Sequence, residues 1–328
     1  MTAVARAHIL RFALLLAVVV ILNFLLPRLL PGSPLSGATG DATVAFLPAA
    51  AQAEMRRTYG TDRPLSAQFV AYLGGLRRGD LGRSLATHRP VTDMIGERLP
   101  WTFALVGSAV ALSAVLGSAL GTAAAWRPYS AAARFLGPLV IGVGALPEFL
   151  VAMGLIVFLG IALRLFPVGG ATTPFLVVSD LRGWLVAARD LLWHAALPAT
   201  TLVIGLAPAF FLLSRNALVA VLGEPFLLTA RGKGLGEHRI LWHAWRNALP
   251  PLVTLLGLRL AVVVTGAALV ERIFAYPGMG MLLFEAVARR DYSVLQGIFL
   301  TASVVMLAVN LMLDLLAFVL DPRTRRTP

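Results

Sequence analysis

Long apolar runs separated by shorter polar segments make up most of the chain. Six runs approach the ~20 residues that a helix needs to cross the hydrocarbon core of a bilayer. They cover residues 12–30, 99–126, 135–163, 191–214, 252–270 and 292–320. Lipid offers no partner to open backbone groups, and the runs are too long for barrel strands, so helices are the expected form. The pattern therefore predicts an all-α integral membrane protein with six transmembrane helices.

Three further features modify this picture. Residues 31–98 mix glycine, proline, arginine and aspartate with short apolar stretches, which predicts a lid or collar of short helices. Residues 180–194 carry an apolar helical face with charged residues away from it, which predicts a helix in the membrane interface. The first apolar run resembles a signal peptide. The small-residue site at 49–53 lies too far from it for easy cleavage, which favours a retained span.

The stretch TARGKGLGEHRILWHAWRNALPP, residues 229–251, is a basic and glycine-rich interruption of the apolar pattern. Glycines at 232, 234 and 236 predict a break between two helices, because glycine in a helix costs ~1 kcal/mol relative to alanine. The helix before the break, over residues 217–230, is expected to be interrupted near Gly223-Glu224-Pro225. The helix after it is expected to end at Pro250-Pro251.

The second of these helices is amphipathic. Its apolar positions are Ile240, Leu241, Ala244, Trp245, Ala248 and Leu249, and its polar positions are Arg239, His243, Arg246 and Asn247. The residues alone leave two interpretations equally open. The segment is either an L-shaped lever arm gripped by another protein or an amphipathic loop lying on anionic lipid.

Composition and charge set the membrane class and its orientation. Apolar residues make up 58% of the chain and charged residues 13%, whereas soluble domains carry about 25% charged residues. The net charge of +12 does not indicate nucleic acid, because basic residues collect in the cytosolic loops of membrane proteins. Their distribution predicts that both termini are cytosolic. The absence of cysteine excludes disulfides and thiolate chemistry, and the histidines lack partners at metal-ligand spacing.

The polar segment and the motifs around it resemble the permease subunits of ABC importers of the dipeptide, oligopeptide and nickel family. The family's loop has the approximate form A-R-A-K-G-L, then H-x-L-R-N-A and a proline. The matching residues here are Ala230, Arg231, Lys233, Gly234 and Leu235, then His243, Arg246, Asn247, Ala248 and Pro251. Gly232 and Trp245 stand where the family commonly has alanine and leucine.

Further motifs extend the resemblance over essentially the whole chain. They are RLLPGSPL (28–35), YGTDRPLSAQFVAYLGGLRRGDLGRSL (59–85), RPVTDMIGERLPWT (89–102), ERIFAYPGMGMLLFEAVARRDYSVLQG (271–297) and NLMLDLLAFVLDPRTR (310–325). They are similar to the first permease of the pair, which has a long first outside loop.

The resemblance implies a type I ABC importer permease fold in a bacterial inner membrane. The N-terminus and first span would occupy residues 1–30, an extracytoplasmic region 31–98, the permease core 99–320 with its coupling loop at 215–251, and a cytosolic tail 321–328. Expected partners are a second homologous permease, two ATPase subunits or domains, an extracytoplasmic substrate-binding protein and membrane lipid.

The resemblance also implies how the loop works. The chain has no Walker A motif, because its one Gly-Lys pair is followed by Gly234, so ATP and Mg²⁺ would belong to the ATPase partners. The loop would dock in an ATPase groove, with Gly234 forming the turn and Ala230 and Leu235 packing in the groove. Arg231, Lys233 and Glu237 would make polar contacts at the rim. Peptide is the expected cargo, with nickel or a metal chelate as the alternative.

Charges inside spans are costly and are functional candidates by default. Glu148 and Arg259 are therefore candidates for the substrate path, and the alternative is a structural pair of Glu148 with Arg259 or with a residue of a partner subunit. Two other classes of function fit the sequence less well. A secondary transporter needs coupling-ion residues in several spans or an internal repeat, and neither is found. A membrane enzyme would have to use Asp180, Asp190 and His194, which fit the interface helix better.

Overall fold

A computed structural model describes residues 2–29, 48, 50, 63–84, 86–174, 180–261, 263 and 267–320. Its helices are α1 (Thr2–Leu29), α2 (Leu65–Arg77), α3 (Val91–Trp126), α4 (Ala131–Gly144), α5 (Glu148–Leu155), the π-helix Ile156–Ala162, α6 (Leu181–Leu222), α7 (Pro225–Gly232), α8 (Glu237–Ala261), α9 (Ala268–Ile273), α10 (Met279–Ala288) and α11 (Tyr292–Leu320). The expected all-α fold is confirmed.

The long apolar helices carry the membrane character. Within the described residues, three helices are long and apolar enough to cross a bilayer, and they are Val91–Trp126, Arg182–Leu222 and Tyr292–Leu313. A fourth crossing is possible as a bent pair, Ala133–Gly144 with Glu148–Ala162. Shorter apolar helices include Leu10–Leu25 and Met279–Ala288. The chain is therefore a multi-pass membrane protein, while the expected number of six spans is not confirmed.

The bent pair falls inside the apolar run 135–163. Its helices meet at 97° across Ala145–Pro147. Pro147 lacks a backbone N–H, and it stands directly before the first residue of α5, where that loss costs nothing. The break begins directly after Gly144, the last residue of α4.

Prolines do not end helices in this chain in the way the sequence pattern indicated. The prediction that the helix after the glycine break ends at Pro250-Pro251 is wrong, because α8 continues through both prolines to Ala261. Its buried residues keep the same spacing on either side of the prolines, at Ala244, Ala248 and Leu252. Continuous packing along one face and the need to bond every backbone group in lipid keep the chain helical there.

Two segments predicted to be outside the membrane are helical. Helix α2 lies in the 31–98 region, most of whose first half falls outside the described residues. Residues 181–194 form the first turns of α6 and continue without a break into the next apolar run, so they are not a separate interface helix. Asp180 is the N-cap residue before α6, and its carboxylate accepts a hydrogen bond from the Gly183 N–H (2.7 Å). Residues 321–328, the expected cytosolic tail, lie outside the described part.

Contacts within the structure divide the chain into two units. The division into four consecutive segments that the sequence analysis expects stays a prediction. The first unit comprises Met1–Thr102 and Pro277–Pro328. There α1 packs on α11, and the Asn23 side chain donates hydrogen bonds to the Tyr72 hydroxyl (3.1 Å) and the Gln296 carbonyl (3.0 Å). The buried Asp291 accepts a hydrogen bond from the Ser84 hydroxyl (2.5 Å).

The second unit, Phe103–Tyr276, is built around α6. Helices α4, α5 and α8 pack along α6. The C-terminal half of α3 meets α6 at Gly117 and Gly121, where an added methyl group would stand 2.5 Å from the Ala207 carbonyl oxygen and 2.0 Å from the Ser214 hydroxyl. Small residues spaced by four allow two membrane helices to approach this closely.

Candidate functional site

The predicted coupling segment begins where α6 ends. After Leu222 the chain leaves the helix at Gly223 and Glu224 and starts α7 with Pro225. Proline suits this position, because its fixed φ matches the helix and its missing N–H has no partner in a first turn. The interruption expected near Gly223-Glu224-Pro225 is confirmed.

The turn between α7 and α8, which we call the glycine turn (residues 230–237), closes as a Schellman motif. The Leu235 N–H donates to the Ala230 carbonyl (3.2 Å), and the Gly234 N–H donates to the Arg231 carbonyl (2.9 Å). Gly234 has a φ of +76°, a left-handed conformation that costs other residues energy. The glycine break predicted from the sequence is confirmed, and Gly234 is the residue whose conformation requires glycine.

Buried apolar side chains fasten both arms of the turn to the longer helices. We call this group the anchor cluster, and it comprises Ala125, Leu218, Leu227, Ile240, Ala244 and Ala248. Leu227 on α7 and Ile240 on α8 are almost fully buried in it. The polar residues of α8, including Arg239 and His243, are exposed on the other side. The two faces predicted for this helix are confirmed.

The structure separates the predicted coupling residues into two groups. Leu235 is half-buried and packs against the anchor cluster of its own chain, and Ala230 is half-buried beside it in the turn. The expectation that both residues also pack in a partner's groove stays a prediction. A Schellman motif commonly pairs an apolar residue after the turn with one in the last helical turn, which accounts for both side chains.

Charged residues point outward from the turn. Arg231, Lys233 and Glu237 are all exposed. The Arg231 Nε lies 3.6 Å from Glu237 Oε1, and the two side chains are 46% and 65% exposed. Such an exposed pair contributes at most about 1 kcal/mol. Both charged groups can therefore leave this pair at little cost and bind charged groups of a partner instead.

Exposed apolar side chains next to the turn were missed in the sequence. Phe226 and Leu228 on α7 are 43% and 63% exposed, and Trp242 on α8 is 57% exposed. Leu228 directly follows the buried Leu227, and Trp242 directly precedes the polar His243. A count of helical faces would therefore have placed both side chains on the outer side of their helices. Together with the charges they form a mixed polar and apolar surface, as is common at protein interfaces.

The two intramembrane candidates lie apart from the turn but in the same unit. Glu148 is the first residue of α5, and Arg259 lies near the end of α8. They interact electrostatically, although no hydrogen bond or ion pair joins them within the described chain. The described residues contain no group of three or more side chains of the types that hold metal ions.

This architecture defines a class of protein, a multi-pass helical membrane protein with an exposed basic turn. The chain matches the model of a family described as binding-protein-dependent transport system inner membrane component over residues 117–326. That match includes the glycine turn and covers more than half of the chain. The chain belongs to this family, whose members are the permeases of ABC importers, and the resemblance noted in the sequence is confirmed.

Curated relatives match along nearly their whole length. A putative peptide permease protein of Brucella ovis is 37% identical, with 95% of this chain and 96% of the relative covered. The glutathione transport system permease protein GsiC of Pectobacterium atrosepticum is 34% identical, with 94% of each covered. The dipeptide transport system permease protein DppB of Escherichia coli K12 is 32% identical, again with 94% of each covered.

Proposed function

We propose that this chain is one of two homologous permease subunits of an ATP-driven importer for di- and oligopeptides. The two permeases together enclose the translocation path in the bacterial inner membrane, surrounded by lipid. An extracytoplasmic binding protein delivers the cargo, and two ATPase subunits or domains hydrolyse ATP with Mg²⁺. This chain supplies no catalytic residue, and its task is to convert the movement of the ATPases into opening and closing of the path.

The glycine turn is the proposed contact with an ATPase. The observation that carries this assignment is the way the turn is built, because its backbone is closed by the Schellman hydrogen bonds and its inner side is packed on the anchor cluster. A push on the outer surface therefore moves α7 and the start of α8 together with the ends of α3 and α6. A rigid connection of this kind lets ATP binding bias two states separated by a few kcal/mol.

Each residue of the turn has a defined part in this proposal. Gly234 supplies the left-handed backbone, and Ala230 and Leu235 hold the turn on its own helices. Arg231, Lys233 and Glu237 make polar contacts with the ATPase. The exposed Phe226 and Leu228 fill an apolar part of the ATPase groove.

The orientation of the chain follows from the same assignment. An ATPase in the cytosol requires the glycine turn to be cytosolic. Basic residues such as Arg215, Arg239 and Arg246 surround the turn, as expected for a cytosolic segment. The N- and C-termini are then cytosolic as well, since both carry short basic segments.

Charge reversal of the turn tests the docking site. We expect an Arg231→Glu, Lys233→Glu variant to lose the ATPases when the tagged complex is purified in mild detergent, because like charges then face the groove. Arg182→Glu, Arg189→Glu is the matched control, since it reverses two exposed arginines elsewhere in the same unit. Equal ATPase recovery from both variants would contradict docking at the turn and favour a loop that rests on lipid.

Cargo is tested separately in proteoliposomes that contain the complete importer and its binding protein. The names of the relatives support peptide as the cargo, and we expect ATP-dependent uptake of a labelled dipeptide. Uptake of a nickel chelate without uptake of any peptide would assign the chain to the metal branch instead. ATP-independent uptake driven by an ion gradient would instead indicate a secondary transporter.

A further inference from the structure

An unsatisfied charge lies in the membrane part of the second unit. The Nε atom of Arg259 is buried and has no hydrogen-bond partner among the described residues. No other hydrogen bond or ion pair engages this side chain within the described residues. A buried donor left without a partner costs about 1–3 kcal/mol, and more when it is charged. Such a group in an apolar helix needs an explanation.

Glu148 is the nearest candidate for a partner, but it does not make the contact. Its carboxylate interacts electrostatically with Arg259 without touching it. It lies at the break between α4 and α5, and a methyl group added to Gly205 on α6 would stand 3.3 Å from its Oε1 atom. The absence of a side chain at Gly205 leaves room for the carboxylate against the backbone of α6.

The Arg259 nitrogens and the Glu148 oxygens interact across a gap of more than 4.0 Å, beyond the reach of an ion pair. A structural ion pair inside a membrane would close that gap, because a direct contact is the cheapest way to satisfy both charges. A ligand with one cationic and one anionic end would satisfy both groups together. A discontinuous helix beside such a site is a recurrent feature of membrane transporters.

We propose that Glu148 and Arg259 form a two-point site for the charged ends of a passing peptide. Glu148 receives the terminal ammonium group, and the Arg259 guanidinium receives the terminal carboxylate. The site selects short zwitterionic cargo over capped or neutral cargo. This inference rests on the proposed function, because it assigns the specificity of the path that the permease encloses.

Helix α8 connects this site to the glycine turn. It runs without interruption from Glu237 to Arg259. At 1.5 Å per residue these positions are about 30 Å apart along one helix. Movement of the turn therefore shifts Arg259 relative to Glu148 on α5. The same motion that follows ATP binding would change the gap and release the peptide.

The test measures uptake and ATP hydrolysis together in proteoliposomes that hold the complete importer. The probes are alanyl-alanine, its N-acetyl form and its C-terminal amide. Glu148→Gln should lower uptake of the free dipeptide about tenfold or more, since a hydrogen bond to a charged group contributes about 1.5–3 kcal/mol. It should also shrink the preference for the free over the N-acetylated form. Arg259→Gln should shrink the preference for the free form over the amide.

Controls separate recognition from folding. Binding-protein-stimulated ATP hydrolysis should persist in both variants, and Glu148→Asp should keep part of the preference. The double variant Glu148→Gln, Arg259→Gln leaves no unpaired charge and should fold, yet lose both preferences. Asp93→Asn alters an exposed acid in the other unit and should change nothing.

The outcomes distinguish the two proposals. Failure of the unaltered importer to take up any peptide overturns the proposed function, and this inference with it. If it takes up peptide, two results overturn the two-point site alone. One is unchanged uptake and preference in the variants. The other is an equal loss of uptake and of ATP hydrolysis in both single variants and in the double variant. That result would show that Glu148 and Arg259 form a structural pair.

Discussion

Glycines have opposite structural roles at the contact between α3 and α6 and at the turn between α7 and α8. At Gly117 and Gly121 an added methyl group would stand within 2.5 Å of atoms of α6, so these glycines exist to let two helices touch. At Gly232, Gly234 and Gly236 nothing lies within 4 Å, and only Gly234 has a left-handed backbone. The first region is closed by packing inside the unit, whereas the second is shaped by its backbone and left open. An open surface of this kind is available to another protein.

The largest effect is expected at the packed contact. Gly121→Ala would place a methyl group 2.4 Å from the Phe211 carbonyl oxygen and 2.0 Å from the Ser214 hydroxyl, and the backbone oxygen cannot rotate away. We expect a loss of about 3 kcal/mol or more, the upper part of the range for overpacking. Denaturation of the purified protein in a detergent titration measures this loss.

Gly137→Ala is the matched control for that substitution. Gly137 lies inside α4 with nothing within 4 Å of the added methyl group, so alanine should be neutral or slightly stabilising there. Equal destabilisation by both variants would show that the α3–α6 contact is not as close as described.

The next largest effect is expected in the anchor cluster. Leu227→Ala removes an almost fully buried side chain beneath α7 and should cost about 2–3 kcal/mol, within the range for core leucines. Leu228→Ala changes the neighbouring, exposed leucine and should leave stability unchanged while weakening ATPase recovery. The contrast is measured by running denaturation and co-purification on the same preparations. A stability loss at Leu228 equal to that at Leu227 would contradict the assignment of inner and outer sides.

The sequence predicted these local features because they depend on neighbouring residues. The glycine break, the interruption before Pro225 and the faces of α8 follow from spacing and backbone preference alone. The packing of Gly121 against Phe211 could not be predicted, because small residues spaced by four indicate a close contact without naming the partner helix. The helix through Pro250-Pro251 was also missed, since the proline rule holds for isolated helices and not for one packed along α6. The packing of Leu235 against the anchor cluster was also missed, because it depends on the Schellman geometry of the turn and not on the spacing of apolar residues.

A smaller effect is expected in the glycine turn itself. Gly234→Ala forces a side chain into the left-handed region and should cost about 1–2 kcal/mol. Gly232→Ala adds the same methyl group two residues earlier, in open space and at an ordinary φ, and should cost nothing. Limited proteolysis of the turn compares the two variants. Equal cleavage rates would mean that the Schellman geometry does not hold the turn.

The smallest effect on stability is expected for the exposed ion pair. Arg231→Gln breaks the contact with Glu237 and should change the unfolding free energy by less than about 1 kcal/mol, even at low salt. ATP hydrolysis stimulated by the binding protein should nevertheless fall. A stability loss as large as that of Leu227→Ala would show that this ion pair belongs to the packed region and not to the open surface of the turn.

Cross-linking from Lys233 tests most directly the claim that the turn is where an ATPase docks. Lys233 is the only lysine in the chain, so an amine-reactive cross-linker has one side-chain target here, and mass spectrometry separates it from the N-terminal amine. The intact importer should give a cross-link from Lys233 to a lysine of an ATPase subunit. Lys233→Arg should remove it, and adding Arg182→Lys to that variant should not restore it. No ATPase cross-link from Lys233, or an equal one from residue 182, would contradict the account.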